Sequence, residues 1–328
     1  MVALYFLWVI MSKKNKKCFS GIGGQAVIEG IMMKNMDEYS VAVRKPNGEI
    51  TVKKDKYVML AKRFKILGLP FIRGIFAMVD SLILGTKTLE YSASFFEEEE
   101  SEETNSKIDK WLNEHINEKT MKIIMGIMTF VSIAIALLVF SVLPAAIGSL
   151  FKSISKIDNH FLIAFVEGIV RIIIFVLYIK LISRMEEIRR TFEYHGSEHK
   201  CINCIENGWD LTVDNVLKAS KEHKRCGTSF LVYVMVISIF LFMFINPKTL
   251  ALKFLSRILL IPVVAGVSYE LLRVAGRFDN KFVDIVSRPG MWMQGLTTRE
   301  PDAKEVEVAI KAVEEVFDWR EFKKQNFS

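Results

Sequence analysis

A chain of 328 residues with 51% hydrophobic content, 24 Phe and a formal charge of +7 is neither a disordered segment nor an ordinary soluble domain. The basic excess includes no patch interleaved with stacking aromatics and no recognisable nucleic-acid module, so nucleic acid is not an expected partner. The apolar residues fall instead in long blocks, the pattern of a chain that lives in a lipid bilayer.

Residues 1–17 read as an N-terminal extension. Val2 to Ile10 is apolar but too short to span and has no basic flank before it; Met11-Ser-Lys-Lys reads as the true start, with the first ten residues an upstream start-site artefact. Residues 18–65 read as a small β-rich unit on the cytoplasmic side, because Asn47-Gly48 stands between alternating β-formers, a hairpin signal. Its Gly21-Ile-Gly23-Gly24 is not followed by the strand, helix and acidic residue of a nucleotide fingerprint, and tight backbone packing is the expected role.

In residues 66–122, Ile66 to Phe96 has helical period but is broken by Gly68, Pro70, Arg73, Gly74 and Asp80, which suggests an interfacial or re-entrant helix. The acidic run Glu97 to Glu103 reads as a solvated linker. Four runs then approach the roughly 20 residues needed to cross hydrocarbon. Two lie in 123–183, about Ile123 to Leu150 and Phe161 to Ser183, and two in 230–274, about Phe230 to Asn246 and Phe254 to Val274. Glu167 and Arg171 inside the second run read as an ion pair between helices, while Arg257 and Glu270 near the ends of the fourth read as snorkelling groups.

The fold class expected is therefore a mainly α-helical polytopic membrane protein with about four transmembrane helices, a small N-terminal β-rich unit and a helical hairpin loop. Basic residues concentrate in the 184–229 loop (Arg184, Arg189, Arg190, Lys200, Lys218, Lys221, Lys224, Arg225), which the positive-inside rule places in the cytoplasm with both termini. The charge suits attraction to anionic lipid; whether the chain forms a homo-oligomer is open. Residues 275–328 form a cytoplasmic C-terminal segment, in which Trp292 suits a membrane interface and an amphipathic helix begins at about Pro301.

The 184–229 loop holds the chemistry. Of five His and four Cys in the chain, His195, His199, Cys201, Cys204, His223 and Cys226 fall within one stretch. In Glu193-Tyr-His195-Gly-Ser-Glu198-His199, the i, i+3, i+4 spacing puts three side chains on one helical face. Two imidazoles one turn apart suit a divalent cation, zinc first, and Glu198 is placed as the general base for metal-bound water, as in the H-x-x-E-H arrangement. His223 or Cys226 would supply a third ligand if the loop folds back; Glu270 is a further carboxylate candidate. The alternative is a closed structural site from Cys201, Cys204, His223 and Cys226, or a metal-free polar network. In the loop, the second membrane helix is expected to continue into the motif, with a kink or end at Gly196, and a helix from about Val213 to Glu222 is capped by Thr212.

The strings GGQAVIEGIMM (Gly23 to Met33), EYHGSEHK (Glu193 to Lys200), RCGTSF (Arg225 to Phe230), SYELLR (Ser268 to Arg273) and GLTTREPD (Gly295 to Asp302) resemble the YqhQ family of bacterial membrane proteins over nearly the whole chain from Cys18. The resemblance implies a predicted metal-dependent enzyme and supplies no substrate. It implies that His195, Glu198, His199, His223, Cys226 and Glu270 lie within or beside characteristic motifs, whereas Cys201 and Cys204 lie outside them. The function expected is a membrane-bound, zinc-type hydrolase working at the cytoplasmic face, against an alternative of a non-catalytic transport, sensing or assembly protein.

Overall fold

The computed structural model describes residues 18–96, 118–245, 249–278 and 281–327. The extension 1–17 and the acidic run Glu97 to Glu103 lie outside them. The described residues divide into two compact units, one within Met1–Ala93, Lys180–Ile237 and Ile258–Ser328, the other within Ser94–Ile179 and Ser238–Arg257.

The first unit is built on an antiparallel meander of β1 (Gly23–Val27), β2 (Gly30–Asn35), β3 (Glu38–Arg44) and β4 (Ile50–Lys56), in the order β1-β2-β3-β4. The expected hairpin joins β3 to β4: Gly48 takes a positive φ of 84°, and the Asn47 side chain accepts from the Glu49 N–H. Alternation along the strands decides which helix covers which face. Ile31, Met33 and Ala42 join one hydrophobic core with α5 (Glu186–Glu206) and α10 (Ala303–Val316). On the other face Gln25 and Tyr39 meet Gly85 and Lys87 of α1 (Ile72–Ala93). The sheet is thus a middle layer, and Gly24 and Gly30 serve close approach, though Gly23 does not: a Cβ on Gly24 would stand 2.6 Å from the Met32 carbonyl oxygen and one on Gly30 2.3 Å from that of Ala42.

The Ile66 to Phe96 segment, expected at an interface or re-entering, forms the 22-residue α1, which buries Gly74, Ala77, Asp80, Leu84, Gly85, Thr88 and Ser92. Asp80 ties it down by accepting from the Tyr57 hydroxyl and the Leu60 N–H.

The apolar runs form α2 (Glu118–Leu137), a π-helical segment Leu138–Val142 and α3 (Leu143–Ser155), then α4 (His160–Ile182), α7 (Gly227–Met243) and α8 (Leu250–Arg277). Among the described residues three stretches are long and apolar enough to cross a membrane: Gly126–Ser155, His160–Ile182 and Leu255–Gly276. The remaining expected span, Gly227–Met243, is apolar but shorter, at 17 residues.

Two local expectations change. The second apolar helix does not run on into the motif: α4 ends at Ile182, and a new helix starts after Met185, whose backbone is extended. Nor does Gly196 kink or end α5, which is continuous through Glu206. The Thr212 cap is present, accepting from the Asn215 N–H, but its helix α6 (Val213–Lys218) stops short of Glu222 because the following carbonyls are used by side chains of α5. After α9 (Lys281–Thr297), α10 starts at Ala303 under a capping box from Asp302 and Glu305, and α11 (Trp319–Phe327) follows. Asp302→Ala removes the acceptor for the Lys304 and Glu305 N–H groups. It is expected to cost about 1 kcal/mol, read as a lower thermal unfolding midpoint.

Candidate metal centre

Helix α5 lays His195 and His199 one turn apart on the face turned to the 219–226 loop, with ring centroids 4.5 Å from each other. Three α5 side chains hold that loop in place. Lys200 Nζ donates to the Leu217 and Ala219 carbonyls at 2.9 Å, Asn203 Nδ2 to those of Ser220 and Glu222, and His199 Nδ1 lies 2.6 Å from the Lys221 carbonyl. The loop ends by delivering Cys226 to His195, with Sγ 3.1 Å from Nε2.

His195, His199 and Cys226 each offer one donor atom, and the three atoms lie within 4.8 Å of one another. Donors about 2.0–2.3 Å from one tetrahedral zinc stand roughly 3.3–3.8 Å apart, so atoms spread over up to 4.8 Å need to close by as much as about 1 Å to share one ion. The backbone prepares both rings for that task. His195 Nδ1 faces the Thr297 carbonyl at 2.9 Å, and His199 Nδ1 faces that of Lys221. A carbonyl only accepts, so each Nδ1 carries the proton, and in the neutral ring the lone pair is then on Nε2. Such outer partners fix ring tautomer and orientation in metal-binding histidines. The Thr228 N–H donates to Cys226 Sγ at 3.3 Å. His199 and Cys226 are buried, while His195 is only partly so.

The carbonyl of Thr297 reaches His195 because the chain after α9 runs directly over α5. The Arg299 N–H donates to the Phe192 carbonyl at 2.9 Å, and the Arg299 carbonyl oxygen stands 2.0 Å from where a Cβ on Gly196 would be. Gly196 therefore serves close packing rather than bending.

The other expected residues lie apart from this group. Glu198 is buried, its Oε1 accepts from the Gly24 N–H at 2.9 Å, and burial pushes its carboxyl up against the opposing effects of His195 and that N–H. His223 packs its ring 5.8 Å from that of His199, but its Nε2 lies 3.5 Å from Glu206 Oε2, so the structure brings Cys226 and not His223 into the group. Burial holds His223 down to about 4, with Arg225 adding to the effect and the Glu206 bond opposing it. Burial would raise Glu206, but the His223 bond, Arg225 and the Ser20 N–H overcome it and hold the carboxyl at about 2. Glu270 is elsewhere in the unit, held by Arg73 Nε at 2.7 Å and by the Phe71 N–H.

The closed four-ligand alternative fails on its cysteines. Cys201 and Cys204 sit in the hydrophobic core with α10, where burial pushes the Cys201 thiol well up and Cys204 up to about 11. Neither belongs to the group of donor atoms around His195. Sequence reasoning missed Gln294, whose amide holds the His223 backbone by both N–H and carbonyl, and missed the orienting carbonyls of Thr297 and Lys221, which carry no side-chain signal.

Fold and site together define a class: a mainly helical protein with an N-terminal antiparallel meander, three helices among the described residues able by length and composition to cross a membrane, and a His/His/Cys group that could hold a metal ion. Residues 69–319 match the family described as "Protein of unknown function (DUF1385)". The chain is also 32% identical over 305 residues to "Uncharacterized protein YqhQ" of Bacillus subtilis (strain 168), across 93% of this chain and 94% of that protein. The chain belongs to this family. No solved structure matches it.

Proposed function

We propose that the chain is an integral membrane protein in which His195, His199 and Cys226 bind one divalent ion, zinc by preference, and that the centre hydrolyses an ester or amide of a peptide or lipid at the cytoplasmic membrane face. The observation that carries this reading is the pair of backbone carbonyls on the two Nδ1 atoms, which leaves each Nε2 as the ring atom available to an ion, that of His195 standing 3.1 Å from the Cys226 sulfur. Three protein ligands leave a tetrahedral ion one position for water, the arrangement of catalytic rather than structural zinc. Glu198 is assigned as the general base because it is the motif's carboxylate outside the ligand set; its Oε1 would first have to leave the Gly24 N–H to reach a bound water, and burial raises its carboxyl in the direction that proton transfer near neutral pH requires.

The membrane arrangement is supported by the shared core. The meander, α5 and α10 bury residues together, so they occupy one side of any bilayer. The chain leaves that core after β4 and re-enters at α5, with the Gly126–Ser155 and His160–Ile182 stretches in between. It leaves again after α6 and returns at α10 with α7 and α8 in between, so α7 crosses whenever α8 does, and the short helix counts as the fourth span. The basic residues of the 184–229 loop support a cytoplasmic side for the core, by the positive-inside rule.

Burial of His199 and Cys226 to 1% and 6% favours the second reading, a structural ion without chemistry. Cobalt(II)-loaded full-length protein in detergent separates the two. The hydrolase reading expects visible bands of a four-coordinate ion that shift as a bound water titrates, near the value of about 7 typical of catalytic zinc-bound water. Glu198→Gln is expected to retain the ion and displace that titration. Bands indifferent to pH and to added azide, in wild type and variant alike, would establish a closed structural site.

A further inference from the structure

The second unit buries charge among its apolar helices. Glu167 on α4 has a side chain only 4% exposed, and it accepts from Arg257 Nη2 at 2.7 Å and from Lys253 Nζ, both on α8. A third cation, Arg171, stands one turn after Glu167, and no carboxylate among the described residues lies within ion-pair distance of it. Its Nε donates to the Phe140 carbonyl at 3.1 Å. That carbonyl is free because Pro144, four residues on, has no N–H to give it, and the helix relaxes into the π-helical Leu138–Val142 there. Arg257 reaches the next carbonyl, that of Ser141, at 3.5 Å, and both guanidinium groups lie over the Phe242 ring.

Among these groups is a cavity of about 40 Å³, lined by Glu167, Arg171, Lys253, Arg257 and His160. His160 Nε2 is buried and has no hydrogen-bond partner among the described residues. Three cations therefore face one carboxylate around a space whose walls are otherwise mostly apolar, with the ring nitrogen of His160 among them. Buried charge is costly unless paired, and ionisable groups inside apolar helices mark ion or substrate positions. One water needs roughly 10–15 Å³ by this measure, so the cavity takes two or three waters or one small ion.

We infer that this cavity binds a small monovalent anion of halide size, held by Arg171, Arg257 and the ring N–H of His160 against the competing carboxylate of Glu167. The volume selects a spherical halide over a tetrahedral oxyanion, and the cation excess selects the sign. The inference is independent of the His/Cys centre, which belongs to the other unit.

Chloride NMR on the full chain in detergent tests it. The wild type is expected to broaden the chloride line beyond the detergent blank, and bromide to reverse the broadening while sulfate does not. Arg171→Gln is expected to weaken binding about tenfold or more, the loss of one charged donor. His160→Gln leaves the ion-paired network intact and is expected to weaken binding severalfold, so the outcome does not depend on a variant that unfolds. Glu167→Gln is expected to bind chloride at least as tightly as wild type, because the competitor for the cations is gone. A wild type no broader than the blank would overturn the inference. So would a Glu167→Gln variant, folded by its elution profile, that no longer binds, and sulfate competing as well as bromide would overturn the size assignment.

Discussion

Protein purified in detergent is expected to carry about one equivalent of zinc, and the His195→Ala/His199→Ala variant none, by elemental analysis at matched folding quality. The expectation rests on how little rearrangement binding needs. Both rings are already turned by the Thr297 and Lys221 carbonyls, and Cys226 is already 3.1 Å from His195. Removing two of three ligands leaves a lone sulfur, so the effect is loss of the ion rather than a graded weakening. Metal should also stabilise the fold, since α5 and the start of α7 would share a ligand set; an ion free at a thousand times its Kd adds about 4 kcal/mol to stability. A chelator is therefore expected to lower the unfolding temperature of wild type and leave the double variant unmoved. A wild type that is metal-free as isolated and stays so after incubation with zinc, iron or manganese sinks the hydrolase reading and leaves the cluster as a polar network.

Gly196→Ala is expected to destabilise the first unit by about 2–4 kcal/mol, as overpacking against a fixed backbone does. In an ordinary helix interior the same change gains about 1 kcal/mol. The sign reverses because the new methyl would stand 2.0 Å from the Arg299 carbonyl oxygen, and backbone has no rotamer with which to yield. To accommodate it, the 297–301 segment must lift from α5, which takes the Thr297 carbonyl away from His195 Nδ1. Metal content should fall together with the unfolding temperature in this variant. A Gly196→Ala protein as stable as wild type and fully loaded would show that the 297–301 segment does not hold His195.

Much of this was legible in the sequence, and the failures have identifiable causes. The Asn47-Gly48 hairpin, the Thr212 cap and the apolar runs are local signals, written in neighbouring residues, and the structure contains each of them. The pairing of His195 with His199 is also local, since helical spacing alone places both rings on one face. Choosing the third residue was a different problem. Cys226 and His223 stood level in the sequence, with Glu270 behind them, and what separates them is long-range: Glu206 takes His223, Arg73 takes Glu270, and the loop pinned by Lys200 and Asn203 delivers Cys226. Gly196 was misread as a helix breaker because its reason lies about a hundred residues away, in the Arg299 backbone. The break at Ser183 to Met185 carries no Pro or Gly to announce it.

The shared core also sets a timetable for synthesis. Ser40 of β3 gives its hydroxyl proton to the carbonyl of Ala312, a partner 272 residues later in the chain. At translation rates of about 5–20 residues per second, the first strands wait roughly 15–50 s for the helix that covers one of their faces. Through that interval Ile31, Met33 and Ala42 have no α10 to bury them. Maturation is therefore a late event that follows the last apolar helix, and a chain stopped before Ala303 would keep a sticky sheet face, a substrate for chaperones and for quality-control proteases.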